Sequence, residues 1–180
     1  MYYIALIPPD PVQSAVQAFK YELKNQFGAK NALKSPAHIT LQKPFRRPQS
    51  MESQLIDQLT GFAEQQTPFE IKLNGFDCFE PRVLFVAVQN PEIIRPMRDA
   101  LYETLIQHLD FQEKEIDRRF HPHITIANRD LKEVDFDRTW PYWQKKPFQA
   151  SFFATDIHLL RLGPLGWEVL HAMPFESSTK

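Results

Sequence analysis

Apolar residues recur along this chain in two rhythms, one helical and one of period two. Tyr2 to Ile7 is almost wholly apolar and aromatic, the composition of a strand. Asp10-Pro11 then marks a helix start, an N-cap side chain followed by proline at the first helical position. Val12, Ala15, Val16, Phe19, Leu23 and Phe27 follow at helical spacing, and Gly28 supplies the stop. His38 to Leu41 is short and β-branched, which predicts a strand, and Met51 to Phe62 sets Leu55, Ile56, Leu59 and Phe62 on one helical face. From Phe69 the rhythm changes: "FEIKLNGF" alternates apolar and polar residues, and "RVLFVAV" is a continuous apolar run suited to a buried strand. Glu80-Pro81-Arg82 fits the turn between them, with Asn74-Gly75 as a competing turn or bulge site.

Pro91 to Leu109 returns to helical spacing through Ile94, Met97, Leu101, Leu105 and Leu109. A second short strand begins at His123, and Asp130 to Pro147, with Trp140 and Trp143, predicts a short helix or an ordered loop. Two strands close the chain, "QASFFATDIHLLRL" and "WEVLHAMPF", joined by a Gly163-Pro164-Leu165-Gly166 turn. Taken in order, the elements repeat: strand, helix, short strand, helix, strand, and then much the same again. That order predicts an α+β fold, a single bilobal domain over residues 1–180. Its two pseudo-symmetric lobes would each hold an antiparallel sheet with flanking helices, around a central cleft.

The two short strands carry the same phrase, "HIT", at His38 and His123, which are 123 − 38 = 85 positions apart, close to half of the 180-residue chain. In a strand, His38 and Thr40 point one way and Ile39 and Leu41 the other, and His123 and Thr125 stand likewise against Ile124 and Ile126. Each motif therefore presents an imidazole and a hydroxyl on one face. If the lobes face each other, two imidazoles and two hydroxyls converge. Such a set suits a phosphodiester: one imidazole removes a proton from the nucleophile, the other protonates the leaving oxygen, and the hydroxyls stabilise the non-bridging oxygens.

Composition narrows the classes. Hydrophobic residues make up 43% and charged residues 24%, a globular balance, and the net charge of −1 gives no broad field for bulk nucleic acid. A general RNA-binding protein sits poorly with that neutrality. The lone Cys78 cannot form an intrachain disulfide and leaves no cysteine set for a structural zinc. "MYYIALIPPD" reads as a first strand rather than a signal peptide, and no stretch approaches the roughly 20 apolar residues of a membrane span. The expectation is a cytoplasmic monomer with no membrane contact and no obligate protein partner.

With both motifs in strand context, the chain resembles the two-histidine (2H) phosphoesterase superfamily, which includes bacterial RNA 2′,3′-cyclic phosphodiesterases, also called 2′-5′ RNA ligases. The resemblance rests on "HITL" at His38 and "HITI" at His123 and runs from the opening strand with its "IPPD" turn to the last strand. It implies metal-independent phosphodiester chemistry without a cofactor, in a cleft that holds both motifs. It also implies His38 and His123 as the acid–base pair and Thr40 and Thr125 as donors to the phosphate oxygens. The substrate class it implies is a 2′,3′-type cyclic phosphate on an RNA end or a small nucleotide. Where several members place an arginine five positions after the second histidine, this chain has Asn128, with Arg129 next.

Further candidates follow from position. Lys43 and Arg129 are the basic residues best placed to contact phosphate, among Arg46, Arg47, Arg118 and Arg119 that also flank the motifs. Phe45 and Phe120 are candidates to stack on a base. Of Tyr2 and Tyr3, which face opposite ways, at most one reaches the cleft. His121, two residues before His123, lines the cleft edge or caps the strand. A metal site built from His38, His121 and His123 is disfavoured, because Pro122 interrupts the ladder and no acidic residue shares the face. A binding module that holds a phosphate or RNA terminus without turnover stands beside the enzyme as the alternative.

Overall fold

The computed structural model describes residues 1–176. Along the chain run β1 (Tyr2–Leu6), α1 (Val12–Phe27), β2 (Ile39–Phe45), α2 (Glu52–Ala63), β3 (Phe69–Phe79), β4 (Val83–Val88) and α3 (Arg95–His108). They are followed by β5 (His123–Ala127), α4 (Glu133–Trp143), β6 (Gln149–Ala154), β7 (Asp156–Leu162) and β8 (Trp167–Pro174). The strands form one antiparallel eight-stranded sheet in the order β6-β3-β4-β5-β2-β1-β7-β8. Its two four-stranded halves are the two lobes, and they meet at a single registered pair among the described residues, Ile39 opposite Ile124.

The chain does not stay in one half. After β1 it crosses to lay α1 against β5 and β6, whereas α2 packs on β7 and β8 and touches α3. The helices cover the side of the sheet that holds the main core. Ile4, Leu6, Ile39, Leu41, Ile124 and Ile126 point into that core together with helix residues such as Val16, Leu23, Leu59 and Leu101. β1 is buried on both faces, and Tyr3 and Ala5 join Leu160 in a smaller apolar patch on the opposite face.

Local chemistry explains most boundaries. The start of α1 falls one residue later than expected: Pro11 itself is the N-cap, without a side-chain cap bond, and Asp10 before it accepts the Ser14 backbone N–H at 3.0 Å. Gly28 ends the helix at φ 72°, where a side chain is disfavoured. Asn74-Gly75 is the bulge rather than the turn: Gly75 has φ 68°, and the β3–β4 register shifts between Leu73 and Phe76. The turn is at Glu80–Arg82, between β3 and β4. The segment after Asp130 contains a helix, α4, whose Trp143 is fully buried against Phe19 and Phe76.

One expectation fails. "QASFFATDIHLLRL" is not one strand but two, β6 and β7, which lie in opposite halves of the sheet. Phe152 and Ala154 are buried on one parity of the alternation and Ile157 and Leu159 on the other. That slip of one residue at Thr155-Asp156 is where the chain changes lobes.

The β7–β8 turn is seated tightly. Gly166 has φ 150°, and a Cβ there would collide with the backbone oxygen of Lys34. Gly166→Ala is expected to lower stability by about 1–3 kcal/mol through this clash. Urea unfolding of the purified variant measures it, and an unchanged midpoint would show that the turn can lift away from Lys34.

Candidate active site

The Ile39–Ile124 pairing positions the site. Both isoleucines are 0% exposed, while His38, Thr40, His123 and Thr125 are each partly exposed on the opposite face. Carrying that antiparallel register one residue each way sets His38 opposite Thr125 and Thr40 opposite His123. The imidazoles then occupy one diagonal and the hydroxyls the other. Residues on such a diagonal lie about 7–8 Å apart, within reach of one small anion between them.

Both imidazoles are held the same way. His38 Nδ1 lies 2.9 Å from the Pro36 carbonyl oxygen, and His123 Nδ1 lies 2.6 Å from that of His121. A carbonyl oxygen only accepts, so each Nδ1 carries the proton and each Nε2 is left with its lone pair when the ring is neutral. Each ring is also backed by an aromatic side chain from the neighbouring strand. Tyr3 of β1 lies 4.8 Å from His38 between ring centroids, and Phe85 of β4 lies 4.7 Å from His123. Trp167 then packs edge-on against Tyr3, and Phe79 edge-on against His123.

Burial governs the electrostatics. Desolvation is the main reason His38 is pushed down to about 4, and the positive charges of Lys20 and of protonated His123 add to it, against the Pro36 hydrogen bond. His123 is also lowered, first by desolvation and then by the His121 ring, against the His121 carbonyl hydrogen bond. Both rings are therefore disposed to be neutral.

Two cavities adjoin at Thr40. One, of about 750 Å³, includes Tyr3, Lys34, His38, Thr125, Arg129 and Trp167 in its wall. Arg46 joins Lys34 and Arg129 there, and among the described residues the wall contains no Asp or Glu. The other, of about 600 Å³, has Lys43, Phe120, His121 and His123, together with Arg98, Arg119 and Asp117. Arg129 adopts φ 51°, and Asp130 beside it accepts the backbone N–H groups of Lys30 and Asn31, each at 2.8 Å. Asn128 accepts from the Asn31 side chain at 2.7 Å, so this loop ties the second motif to the rim of the first.

The remaining candidates divide by what they touch. Lys43 stands on the His123 side, close enough to Asp117 to help hold that carboxyl below its usual value. Phe45 touches the larger cavity, but its ring is buried in the core beside Phe111 at 4.8 Å, which leaves no open face for a base. Phe120 is covered by Arg98 at 4.3 Å. His121 is exposed beside Phe79 and His123. Arg47, Arg118 and Arg119 are paired with Glu115, Glu113 and Asp117. Of Tyr2 and Tyr3, Tyr3 reaches the cavity, and Tyr2 donates to Glu52 on the other face. Sequence reasoning missed Lys34 and Trp167, which the β7–β8 turn brings together, and Phe85, hidden in an unbroken apolar run.

The sequence model of the 2′-5′ RNA ligase superfamily matches residues 8–164. The chain belongs to this superfamily. Relatives of the 2′-5′ RNA ligase superfamily chain include proteins named "Putative phosphoesterase" from Bacillus pumilus and from a Geobacillus strain. The Bacillus protein is 24% identical over 130 residues, 71% of this chain and 70% of its own. The Geobacillus protein is 25% identical over 137 residues, 75% and 72% of the two chains. Solved structures share the fold. TT0787 of Thermus thermophilus superposes with a TM-score of 0.70 at 21% identity, over 98% of both chains. E. coli LigT complexed with 3′-AMP superposes with a TM-score of 0.64 at 18% identity, over 97% of both. No helix among the described residues is long and apolar enough to cross a membrane.

Proposed function

We propose that this chain is a metal-independent phosphoesterase that opens 2′,3′-type cyclic phosphates on RNA ends or small nucleotides. The observation that carries the reading is the matched anchoring of His38 and His123, each Nδ1 bound to a carbonyl two residues back, across the Ile39–Ile124 register. A phosphate seated between the two Nε2 atoms has a base on one side and an acid on the other, as in-line displacement requires. His38, with its proton affinity pushed lowest, takes a proton from water. The water oxygen bonds to phosphorus, the ring P–O bond breaks, and protonated His123 gives its proton to the departing ribose oxygen. The product is a phosphomonoester, and the two histidines have exchanged protonation states.

The chemistry needs no metal ion because acid, base and oxygen donors are all side chains. Thr40 and Thr125 supply hydrogen bonds to the non-bridging oxygens, where charge builds up at phosphorus. Lys34, Arg46 and Arg129 place positive charge on the larger cavity, which favours an anionic nucleotide. LigT, solved with 3′-AMP and with phosphate, lends the substrate class through shared fold.

Turnover is tested with nucleoside 2′,3′-cyclic phosphates and a cyclic-phosphate-ended oligonucleotide in the presence of a chelator. Ring opening is expected, with Thr40→Val and Thr125→Val each slower by on the order of 10². Tight binding of the same compounds with no product would instead make the cleft a binding module.

A further inference from the structure

Two buried cations lie beside the histidine strands, and the catalytic scheme uses neither. Lys20 of α1 is 2% exposed and Arg98 of α3 is 3% exposed, and they are the buried charged residues among those described. Neither makes an ion pair among the described residues. Both spend their donors on main-chain carbonyls instead. Lys20 Nζ donates to Ser35 O at 2.9 Å. Arg98 donates to Leu41 O at 3.2 Å, to Asp117 O, and to Arg119 O at 3.4 Å.

Their placement is matched. Each sits on the helix that precedes a histidine strand, and each grips the backbone a few residues before that histidine: Ser35 before His38, Asp117 and Arg119 before His123. The gripped segments lead into Pro36 and His121, whose carbonyls orient the two imidazoles. Gln13, two helical turns before Lys20, strengthens the first grip. Its Oε1 accepts the Ala37 N–H at 2.6 Å, and its Nε2 donates to Ala37 O at 3.3 Å.

Holding a carbonyl does not require a charge. A buried cation without a paired carboxylate is costly, so an apolar or neutral residue of similar length would be the more stable occupant at either position. Arg98 is offset within the fold, since its guanidinium lies over the Tyr102 and Phe120 rings, each at 4.3 Å, and donates to three carbonyls. Lys20 has one carbonyl and is the cation an incoming anion would match.

We propose that Lys20 and Arg98 are paired positioning residues: each fixes the backbone that orients one histidine, and Lys20 in addition holds a buried positive charge near His38 that is matched when a substrate phosphate binds. This rests on the reading of the cleft as a phosphate site and specifies how that site is armed. Before the phosphate arrives, desolvation holds both imidazoles neutral, and at His38 the buried Lys20 charge adds to it. The phosphate's negative charge offsets the Lys20 influence and raises the proton affinity of His38, the ring that takes the proton from water. Substrate binding itself would then strengthen the base.

The groups facing His38 are Lys20 from α1, His123 from β5 and Tyr3 from β1, with Lys34, Arg46 and Arg129 across the cavity. Those facing His123 are His121 beside it and Lys43, Arg98, Arg119 and Asp117 across the smaller cavity. Burial lowers Lys20 to about 8, so it remains mostly charged at neutral pH.

The test is an NMR titration of the histidine rings with and without inorganic phosphate, in wild type, K20M and K20R. In the wild type the His38 midpoint is expected near 4 without phosphate and about one pH unit higher with it. K20M is expected to raise the phosphate-free midpoint by about 0.5 pH and to weaken phosphate binding about fivefold. K20R, which keeps the charge, should restore both. If K20M leaves midpoint and affinity as in the wild type, Lys20 is a structural residue only and the proposal is overturned. Should K20M fail to fold, the wild type still decides: a His38 midpoint near 6.5, or one that phosphate does not move, overturns it too. Turnover of a cyclic nucleotide by the same samples separates the two readings. No turnover with the Lys20 effects intact removes the phosphoesterase and leaves the positioning pair, and turnover without those effects does the reverse.

Discussion

Replacing His38 or His123 with alanine is expected to slow cyclic-phosphate opening by about 10² to 10⁴, the usual worth of one positioned proton-transfer group. The two losses should not multiply. An acid and a base that act in one displacement work as a unit, so the double variant should be scarcely slower than the worse single variant. The partners of the two rings make this a clean comparison. Each Nδ1 bonds to a carbonyl two residues back, and each ring packs on an aromatic side chain, Tyr3 or Phe85. Removing a ring uncovers that side chain and one backbone acceptor but leaves the main core closed. Circular dichroism and unfolding midpoints should therefore stay near wild type. Steady-state rates of the three variants on a 2′,3′-cyclic nucleotide provide the check. Multiplicative losses would mean that the histidines serve separate steps.

The second large effect lies on the other face of the same strands. Ile124→Ala is expected to cost about 2–5 kcal/mol, because the side chain is wholly buried at the one registered contact between the half-sheets among the described residues. For a domain of this size that lowers the melting temperature by on the order of 10 °C. Activity below the transition should fall further than stability accounts for, since the seam sets the diagonal on which both histidines stand. Ile124→Val, which keeps most of the volume, should cost no more than about 1.5 kcal/mol and spare activity. Thermal melts and rates at a low temperature measure both halves of this expectation. A variant that melts early yet reacts at the wild-type rate would show that the histidines do not depend on the seam.

Much of this arrangement was legible in the chain, and the physical reasons are local. His-Ile-Thr alternates faces in any strand, so the division into two polar and two apolar positions needed no tertiary information; the histidines are partly exposed and the isoleucines buried. α1 was bounded by Asp10-Pro11 and Gly28, residues whose effect is confined to neighbouring dihedrals. What escaped the sequence depends on partners distant along it. Nothing in "QASFFATDIHLLRL" is a strand breaker, and the only trace of the lobe change is the slip in alternation around Thr155. Nothing local marks Lys20 as buried, because its neighbour Ser35 is brought in by the turn at Asn31–Lys34. Phe45 looked free to stack on a base, and the core ring of Phe111, far along the chain, takes that place.

The central claim is that His38 and His123 share one phosphate, and a crystal structure with inorganic phosphate tests it most directly. The expected result is a single anion within hydrogen-bonding distance of both Nε2 atoms and of the Thr40 and Thr125 hydroxyls. An anion held instead in the separate groove of about 500 Å³ along Lys34 to Pro36, with the imidazoles turned apart, would contradict it.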